Sequence, residues 1–327
     1  MTNANTVATF SPDVLRLDAA AEAERICESI RETVLGRLRR RGVVVGVSGG
    51  IDSSVVAGLC ARALGGDRVL ALFMPERDSS PESLQLGRLL TETFEIESVV
   101  EDIAPALDAA GCYRRRDDAI REVFPEYGEG WKSKIVLPSI LDGPSYRIFS
   151  CVVQTPQGET LSRRMPVGPY QQVVAATNFK QRVRKMMEYY HADRLRFAVA
   201  GTPNLQEYDL GFFVKLGDGA ADVKPIAHLY KTQVYQLAEY LGVPEEIRTR
   251  PPTTDTYSLA QSQEEFFFSV PYPVMDLCLF GKNHGVPAEQ VAECVDITPE
   301  QVQAVYDDIG AKRKAAYYLH EVPLLVK

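Results

Sequence analysis

Apolar positions in the first third of the chain follow two periods that alternate. Over 18–40 an apolar residue recurs every four positions between charged ones, which predicts an amphipathic helix. By contrast, 43–47 and 69–74 are continuous apolar runs, typical of strands buried on both faces of a parallel sheet. A third strand is predicted at 96–100, and Ser80 with the proline after it marks a helix start between strands. Strands alternating with helices predict an α/β fold with a doubly wound parallel sheet.

Residues 113–170 interrupt this alternation. A turn over 156–158 separates two runs of strand composition, which predicts an antiparallel β excursion inserted into the α/β body. Beyond it the helical period returns, and a helical C-terminal segment is predicted over 270–320. We expect a single domain over 1–327 that carries this insertion. The predicted strands of the excursion are 131–138, 146–154 and 159–165.

Composition excludes several classes of function. The 327 residues carry a formal net charge of −8, which argues against a general nucleic-acid binder. No apolar run reaches membrane-spanning length, and the first residues lack the order of a signal peptide. The six cysteines are scattered without metal-ligand spacing, as expected of free thiols in a reducing cytoplasm.

The turn between the first predicted strand and the next helix carries the clearest chemical signal. It reads Gly46-Val47-Ser48-Gly49-Gly50-Ile51-Asp52-Ser53-Ser54. Free N–H groups at a helix N-terminus favour an anion, and adjacent glycines let a phosphate approach the backbone. A carboxylate in such a turn suits a phosphate only if a divalent cation lies between them. An ordinary strand–helix turn of small residues is the alternative.

Further polar residues follow later strands. Thr202 and Glu207 come after a predicted strand at 196–200, where a ligand of such a sheet is expected. Basic residues crowd 180–185 without an acidic residue among them, so a solvated face and an anion site both remain open. For the basic runs at 114–116 and 163–164 we expect solvated surface.

Together these motifs resemble a known family. The stretch Ser48-Gly49-Gly50-Ile51-Asp52-Ser53 resembles the signature loop of the N-type ATP pyrophosphatases, and the later motifs resemble NAD synthetases of the ammonia-dependent type. The resemblance covers about residues 18–112 and 171–315. The family commonly has His-Lys where this chain has Ala311-Lys312, so one substrate contact departs from the pattern. The later motifs are Asn178-Phe179-Lys180-Gln181-Arg182, Gly201-Thr202 with Glu207, the stretch 211–222, Lys231, and Pro252-Thr253.

The resemblance implies roles for individual residues. Asp52 and Glu207 would hold Mg²⁺, and Asp52, Lys231 and Asp222 would be catalytic. We add the hypothesis that Asp222 accepts a proton from the incoming ammonia. The dinucleotide would contact Arg182, Lys215, Asp222 and Lys312. ATP would contact Gly46, Val47, Ser48, Gly49, Gly50, Ile51, Asp52, Ser53, Arg77, Thr202, Lys231 and Thr253.

The implied reaction has two steps and three small-molecule substrates: ATP, nicotinic acid adenine dinucleotide and ammonia. A substrate carboxylate attacks the α-phosphorus of ATP, and ammonia then displaces AMP from the acyl-adenylate to give NAD. About 40 residues precede the turn, too few for an amidohydrolase domain, so free ammonia or a separate glutaminase is expected. The family also implies a homodimer.

Two other functions stay open from the sequence. A paralogous amide ligase could use the same chemistry on a different carboxylic acid, which the excursion and the missing histidine favour. A non-catalytic nucleotide-binding regulator is disfavoured because the expected ATP and Mg²⁺ positions are intact. The excursion itself would serve either the substrate or a dimer contact.

Overall fold

A four-stranded parallel sheet forms the centre of the molecule. In this computed structural model the four strands lie side by side in the order 97–100, 69–73, 43–46 and 198–200, and every neighbouring pair is parallel. The structure describes residues 10–138, 140, 149–251, 256–259, 261–268 and 270–326. The strands are β1 (Val43–Gly46), β2 (Val69–Phe73), β3 (Glu97–Val100), β4 (Lys132–Val136), β5 (Ser150–Gln154), β6 (Thr160–Arg164) and β7 (Ala198–Ala200).

Helices cover both faces of this sheet, as predicted for a doubly wound fold. Val43 and Val45 pack on one face with residues of the helices 19–31, 51–64 and 231–241. Val44 packs on the other face with residues of the helices 104–109, 112–121 and 167–195. The helices are α1 (Ala19–Arg31), α2 (Ile51–Leu64), α3 (Pro81–Thr93), α4 (Ala104–Ala109), α5 (Cys112–Arg121), α6 (Val167–Leu195), α7 (Leu205–Leu210), α8 (Lys231–Leu241), α9 (Glu245–Arg248), α10 (Tyr272–His284), α11 (Ala288–Ala292) and α12 (Pro299–His320).

The strand order places a ligand crevice between β1 and β7. The chain moves outward from β1 to β2 and β3, then returns to the other side of β1 as β7. Loops that leave the two sides of such a switch point diverge, and the space between them is where α/β sheets bind ligands. The turn after β1 and the Thr202 loop after β7 flank this space.

The predicted β excursion is an antiparallel sheet in the order β4-β5-β6. It has its own small core, in which Ile135, Cys151 and Val153 pack against Phe124 and against Val173 of α6. Part of the predicted second strand, 146–148, lies outside the described residues.

The helical C-terminal segment has a core around Met275, Cys278 and Ile309. Its last helix is α12, and Thr298 caps its first turn. The predicted helix over 18–40 is instead α1 followed by a π-helical turn, Glu32–Arg37. In the described part of the chain, no helix has the length and apolar character to cross a membrane.

Candidate active site

The turn after β1 forms the floor of a cavity at the switch point. Gly49 has a φ of +75°, and a Cβ there would lie 2.6 Å from the carbonyl oxygen of Ser83, so glycine is required on two grounds. Ser53 Oγ donates to the Gly50 carbonyl at 3.0 Å and accepts from Ser48 N at 3.3 Å. These bonds hold the turn at the N-terminus of α2, where the backbone favours an anion.

The cavity has a volume of about 250 Å³. Most of the predicted ATP and metal positions line it, brought together from the turn after β1, the loop after β7 and α7. These residues are Gly46, Val47, Ser48, Gly50, Ile51, Asp52, Ser53, Thr202 and Glu207.

Two contacts fix Lys231 near the turn after β1. One is the ion pair of its side chain, and the other is a backbone hydrogen bond at the start of α8. Its fully buried ammonium contacts one oxygen of the Asp52 carboxylate, and Asn204 Nδ2 donates to the other at 3.0 Å. Burial lowers the pKa of Lys231, but the charges of Asp52 and then Glu207 outweigh it, so the pKa is raised. Lys231 therefore stays charged, and buried Asp276 accepts from its backbone N–H at 3.1 Å.

Glu207 is a partly buried carboxylate that lines the same cavity as Asp52. Its backbone N–H and side chain form a capping box with Asn204, and Gln263 Nε2 donates to it at 3.3 Å. Burial first, and the negative charge of Asp52 second, raise the pKa of Glu207 to about 8. A cation between the two carboxylates would relieve this unfavourable interaction.

The carboxylates of Asp52 and Glu207 are a donor set that fits a magnesium ion. Within the described ranges, no group of three or more His, Cys, Asp or Glu side chains could hold a metal. Mg²⁺ is typically bound by one or two carboxylates together with water and substrate phosphates. Asp52 and Glu207 supply that number of carboxylates beside the anion-binding turn.

The predicted dinucleotide contacts Arg182, Lys215 and Lys312 donate to backbone carbonyls. Arg182 Nε donates to the Lys215 carbonyl at 3.4 Å, and Lys215 Nζ donates to the carbonyls of Tyr318 and Glu321 at 2.7 and 2.8 Å. Lys312 Nζ donates to the Phe267 carbonyl at 2.6 Å. None of these three basic residues is among the described residues that line the cavity.

Arg77 and Thr253 are two further predicted ATP contacts. Arg77 is half-exposed, lies over the Tyr113 ring at 4.2 Å, and lines a second cavity that shares Ser79 and Ser80 with the first. Thr253 lies outside the described residues.

Asp218, to which sequence reasoning gave no role, is the aspartate of the 211–222 loop that lines the cavity. Burial raises its pKa, although its carboxylate accepts from Val214 N at 2.7 Å. Asp222 is exposed, accepts from Val199 N at 2.8 Å, and is not among the described residues of the lining. The composition of 211–222 does not indicate which of its two aspartates enters a cavity, and the resemblance selected Asp222 alone.

The basic stretch 180–185 has acidic partners, although its own sequence contains no acidic residue. Lys180 Nζ lies 2.8 Å from Glu76, and Lys185 Nζ lies 2.7 Å from Glu188. These partners were not apparent because Glu76 belongs to a distant loop and Glu188 follows one turn later on α6. Arg184 and Lys185 line the cavity, so the anion-binding interpretation of this stretch remains supported.

The expectation of solvated surface for 114–116 is wrong at Arg116. Its side chain is 2% exposed and donates to Asp78 at 2.5 Å and to Asp117 at 2.8 Å. Helix α5 packs against α6, which turns that face of the basic run inward.

The family model and the similar curated proteins agree on one family. The family model described as NAD synthase matches residues 22–122 and 155–316. The NH(3)-dependent NAD(+) synthetase of Mesorhizobium japonicum is 62% identical over 312 residues, covering 95% of this chain and 98% of its own. That of Thermotoga neapolitana is 35% identical, covering 92% and 94%.

Two solved structures share the fold at lower identity. An NMN synthetase from Francisella tularensis has a TM-score of 0.64 at 20% identity, covering 95% of this chain and 99% of its own. An NH3-dependent NAD synthetase from Campylobacter jejuni has a TM-score of 0.60 at 22% identity, covering 95% and 100%.

Proposed function

The chain belongs to the NAD synthase family, and from that premise we propose that it makes NAD from nicotinic acid adenine dinucleotide, ammonia and ATP. The observation that carries the proposal is the cavity in which the turn after β1 meets Asp52 and Glu207, with the buried ammonium of Lys231 in contact with Asp52. Relatives at 62% identity over nearly the whole chain carry this activity in their names. A ligase for a different acid is not favoured by that identity.

The first step is attack of the substrate carboxylate on the α-phosphorus of ATP. An oxygen–phosphorus bond forms, the bond to the β-phosphate oxygen breaks, and pyrophosphate leaves. The backbone N–H groups at the start of α2 would hold the departing phosphates, and Lys231 would offset developing negative charge. Asp52 and Glu207 would hold Mg²⁺, which when bound neutralises phosphate charge. This step depends on placement in line rather than on a protein nucleophile.

The second step is attack of ammonia on the acyl carbon, with departure of AMP. Ammonia must give up a proton as the amide forms, so a basic group is needed beside it. Asp218 lines the cavity and has a raised pKa, which makes it a better acceptor than an ordinary aspartate. We assign the proton to Asp218 in place of Asp222, which is exposed and bonded to strand β7.

The test is a reaction with purified protein, ATP, Mg²⁺, ammonium and nicotinic acid adenine dinucleotide. We expect AMP, pyrophosphate and NAD in equal amounts, and we expect glutamine to be a poor replacement for ammonium. Omitting ammonium should leave exchange between pyrophosphate and ATP that depends on the dinucleotide. No NAD, with pyrophosphate exchange on another carboxylic acid, would support the paralogous ligase instead.

A homodimer is the assembly that we propose for this enzyme. Helix α6 exposes apolar side chains, with Val167 70% exposed and Met186 and Tyr190 each 57% exposed. Such residues suit an interface between copies. Mass in solution tests this, and a monomer at assay concentration would contradict it.

A further inference from the structure

The described residues of segment 256–263, which are 256–259 and 261–263, lie along the edge of the inserted antiparallel sheet. Ser133 N of β4 donates to Ser258 Oγ at 2.8 Å, and Leu259 N donates back to the Ser133 carbonyl at 3.2 Å. Further on, Gln261 Nε2 donates to the Ile135 carbonyl at 2.5 Å. Strand β4 therefore holds this segment through both backbone and side-chain bonds.

A buried lysine holds the same segment from the side of α6. Lys180 is fully buried, and its ammonium donates to the Thr256 carbonyl at 2.8 Å. The same ammonium donates to Glu76 at 2.8 Å and to Asp78 at 2.7 Å. Next to Thr256, the buried ring of Tyr257 packs in the core of the inserted sheet.

Described residues near the parts that Lys180 and β4 hold line the nucleotide cavity. The chain lines that cavity at Arg250 and Pro251 before the segment, and at Gln263 where the segment ends. Gln263 also donates to Glu207 at 3.3 Å, so the end of the segment contacts a proposed metal ligand. The loop that carries Glu76 and Asp78 contributes Ser79 to the lining.

We propose that the inserted sheet β4–β6 and Lys180 together position segment 256–263, so that nucleotide binding and the sheet are coupled. Residues 123–154, which include β4 and β5, fall outside the NAD synthase match, so the family model does not assign them a role. The contacts give the insertion a function inside one subunit, distinct from substrate contact and from dimerisation. This inference rests on the proposed function, because it requires ATP to bind in the cavity.

Trp131 provides a direct probe of the coupling. It is the only tryptophan of the chain, and it immediately precedes β4, with its ring 5.9 Å from that of Tyr127. We expect its fluorescence to change on titration with Mg²⁺ and a non-hydrolysable ATP analogue. The midpoint should match the dissociation constant measured by calorimetry.

Two alanine variants make a matched pair. Ser258→Ala removes the acceptor of Ser133 N, whereas Ser162→Ala removes the same hydroxyl from an exposed position of β6 in the same sheet. Ser258→Ala should raise KM for ATP and the analogue dissociation constant about threefold to tenfold, the range for one lost hydrogen bond, with kcat nearly unchanged. Ser162→Ala should match the wild type. Lys180→Met should raise KM for ATP further, and if that variant does not fold, the serine pair decides.

The outcomes separate this inference from the proposed function. Wild-type protein that binds the analogue by calorimetry without a change in Trp131 emission overturns the coupling and leaves the proposed function intact. Equal KM values for Ser258→Ala and Ser162→Ala overturn it as well. Wild-type protein that does not bind the analogue at all overturns both.

Discussion

Replacing Glu207 by glutamine should stabilise the protein in the absence of metal and nucleotide. The carboxylate of Glu207 is partly buried near Asp52, and desolvation first and the charge of Asp52 second raise its pKa from 4.5 to about 8. Ionising this group in the folded state is therefore unfavourable. Glutamine keeps the shape and an oxygen that can accept from Asn204 N, which now lies 3.1 Å from Glu207 Oε2, but it cannot ionise.

The sign and size of the effect follow from proton linkage. Between pH 4.5 and about 8 the folded protein keeps the Glu207 proton that the unfolded chain has lost. The stability that this group provides below pH 4.5 is therefore lost as the pH rises through about 8. Linkage sets the slope at ~1.4 kcal/mol per pH unit, so the interval gives an upper limit of about 5 kcal/mol.

Urea unfolding at several pH values, with metal removed by a chelator, measures the effect. The free energy of unfolding of the wild type is subtracted from that of Glu207→Gln, which cancels the titration of groups shared by both proteins. We expect this difference to grow by ~1.4 kcal/mol per pH unit from about pH 5 to about pH 8. A difference that stays constant over this range would refute the assignment of a raised pKa to Glu207. Adding Mg²⁺ and an ATP analogue should stabilise the wild type more than the variant.

Three further substitutions test the proposed site. Lys231→Met should lower kcat about a hundredfold or more, because the buried cation that pairs with Asp52 at the proposed phosphate site is lost, and steady-state kinetics at saturating ATP measure this. Gly49→Ala should weaken binding of an ATP analogue at least tenfold by calorimetry, since the new Cβ meets the Ser83 carbonyl at 2.6 Å and the φ is +75°. Asp218→Asn should keep dinucleotide-dependent pyrophosphate exchange and lose most ammonia-dependent turnover, whereas Asp222→Asn should retain both; the opposite pattern would restore Asp222 as the base.

The parts of the fold that follow a local period were predictable from the sequence. The runs at 43–47 and 69–74 carry no polar side chain at alternate positions, so only strands covered on both faces could bury them, and β1 and β2 have that setting. The cap at Ser80 likewise depends on neighbours within one turn, and its side chain accepts from Glu82 N. Local chemistry also predicted the anion-binding turn, because its glycines and the helix start are adjacent in sequence.

Partners that are distant in sequence were not predictable. Lys180 meets Glu76 across 104 positions and Lys231 meets Asp52 across 179, and no local period reports such pairings. The same limit explains the error at Arg116, since a basic run on a helix has the same composition whether it faces water or a buried carboxylate. Asp218 lines the cavity and Asp222 is exposed because of the path that the 211–222 loop takes. A local sequence pattern does not reveal that path.

The buried charges of the cavity divide it into two chemical environments. Near the turn, Lys231 remains charged and is paired with Asp52, which suits the triphosphate and its cation. Towards α6, burial raises the pKa values of Glu188 and Asp218, which suits a group that must accept a proton at neutral pH. In the proposed reaction, adenylation would use the first environment and amidation the second. Ammonia displaces AMP from an acyl-adenylate that exists only after adenylation has released pyrophosphate, so the chemistry itself fixes the order of the two steps. The charge distribution of the cavity would then serve them in that order.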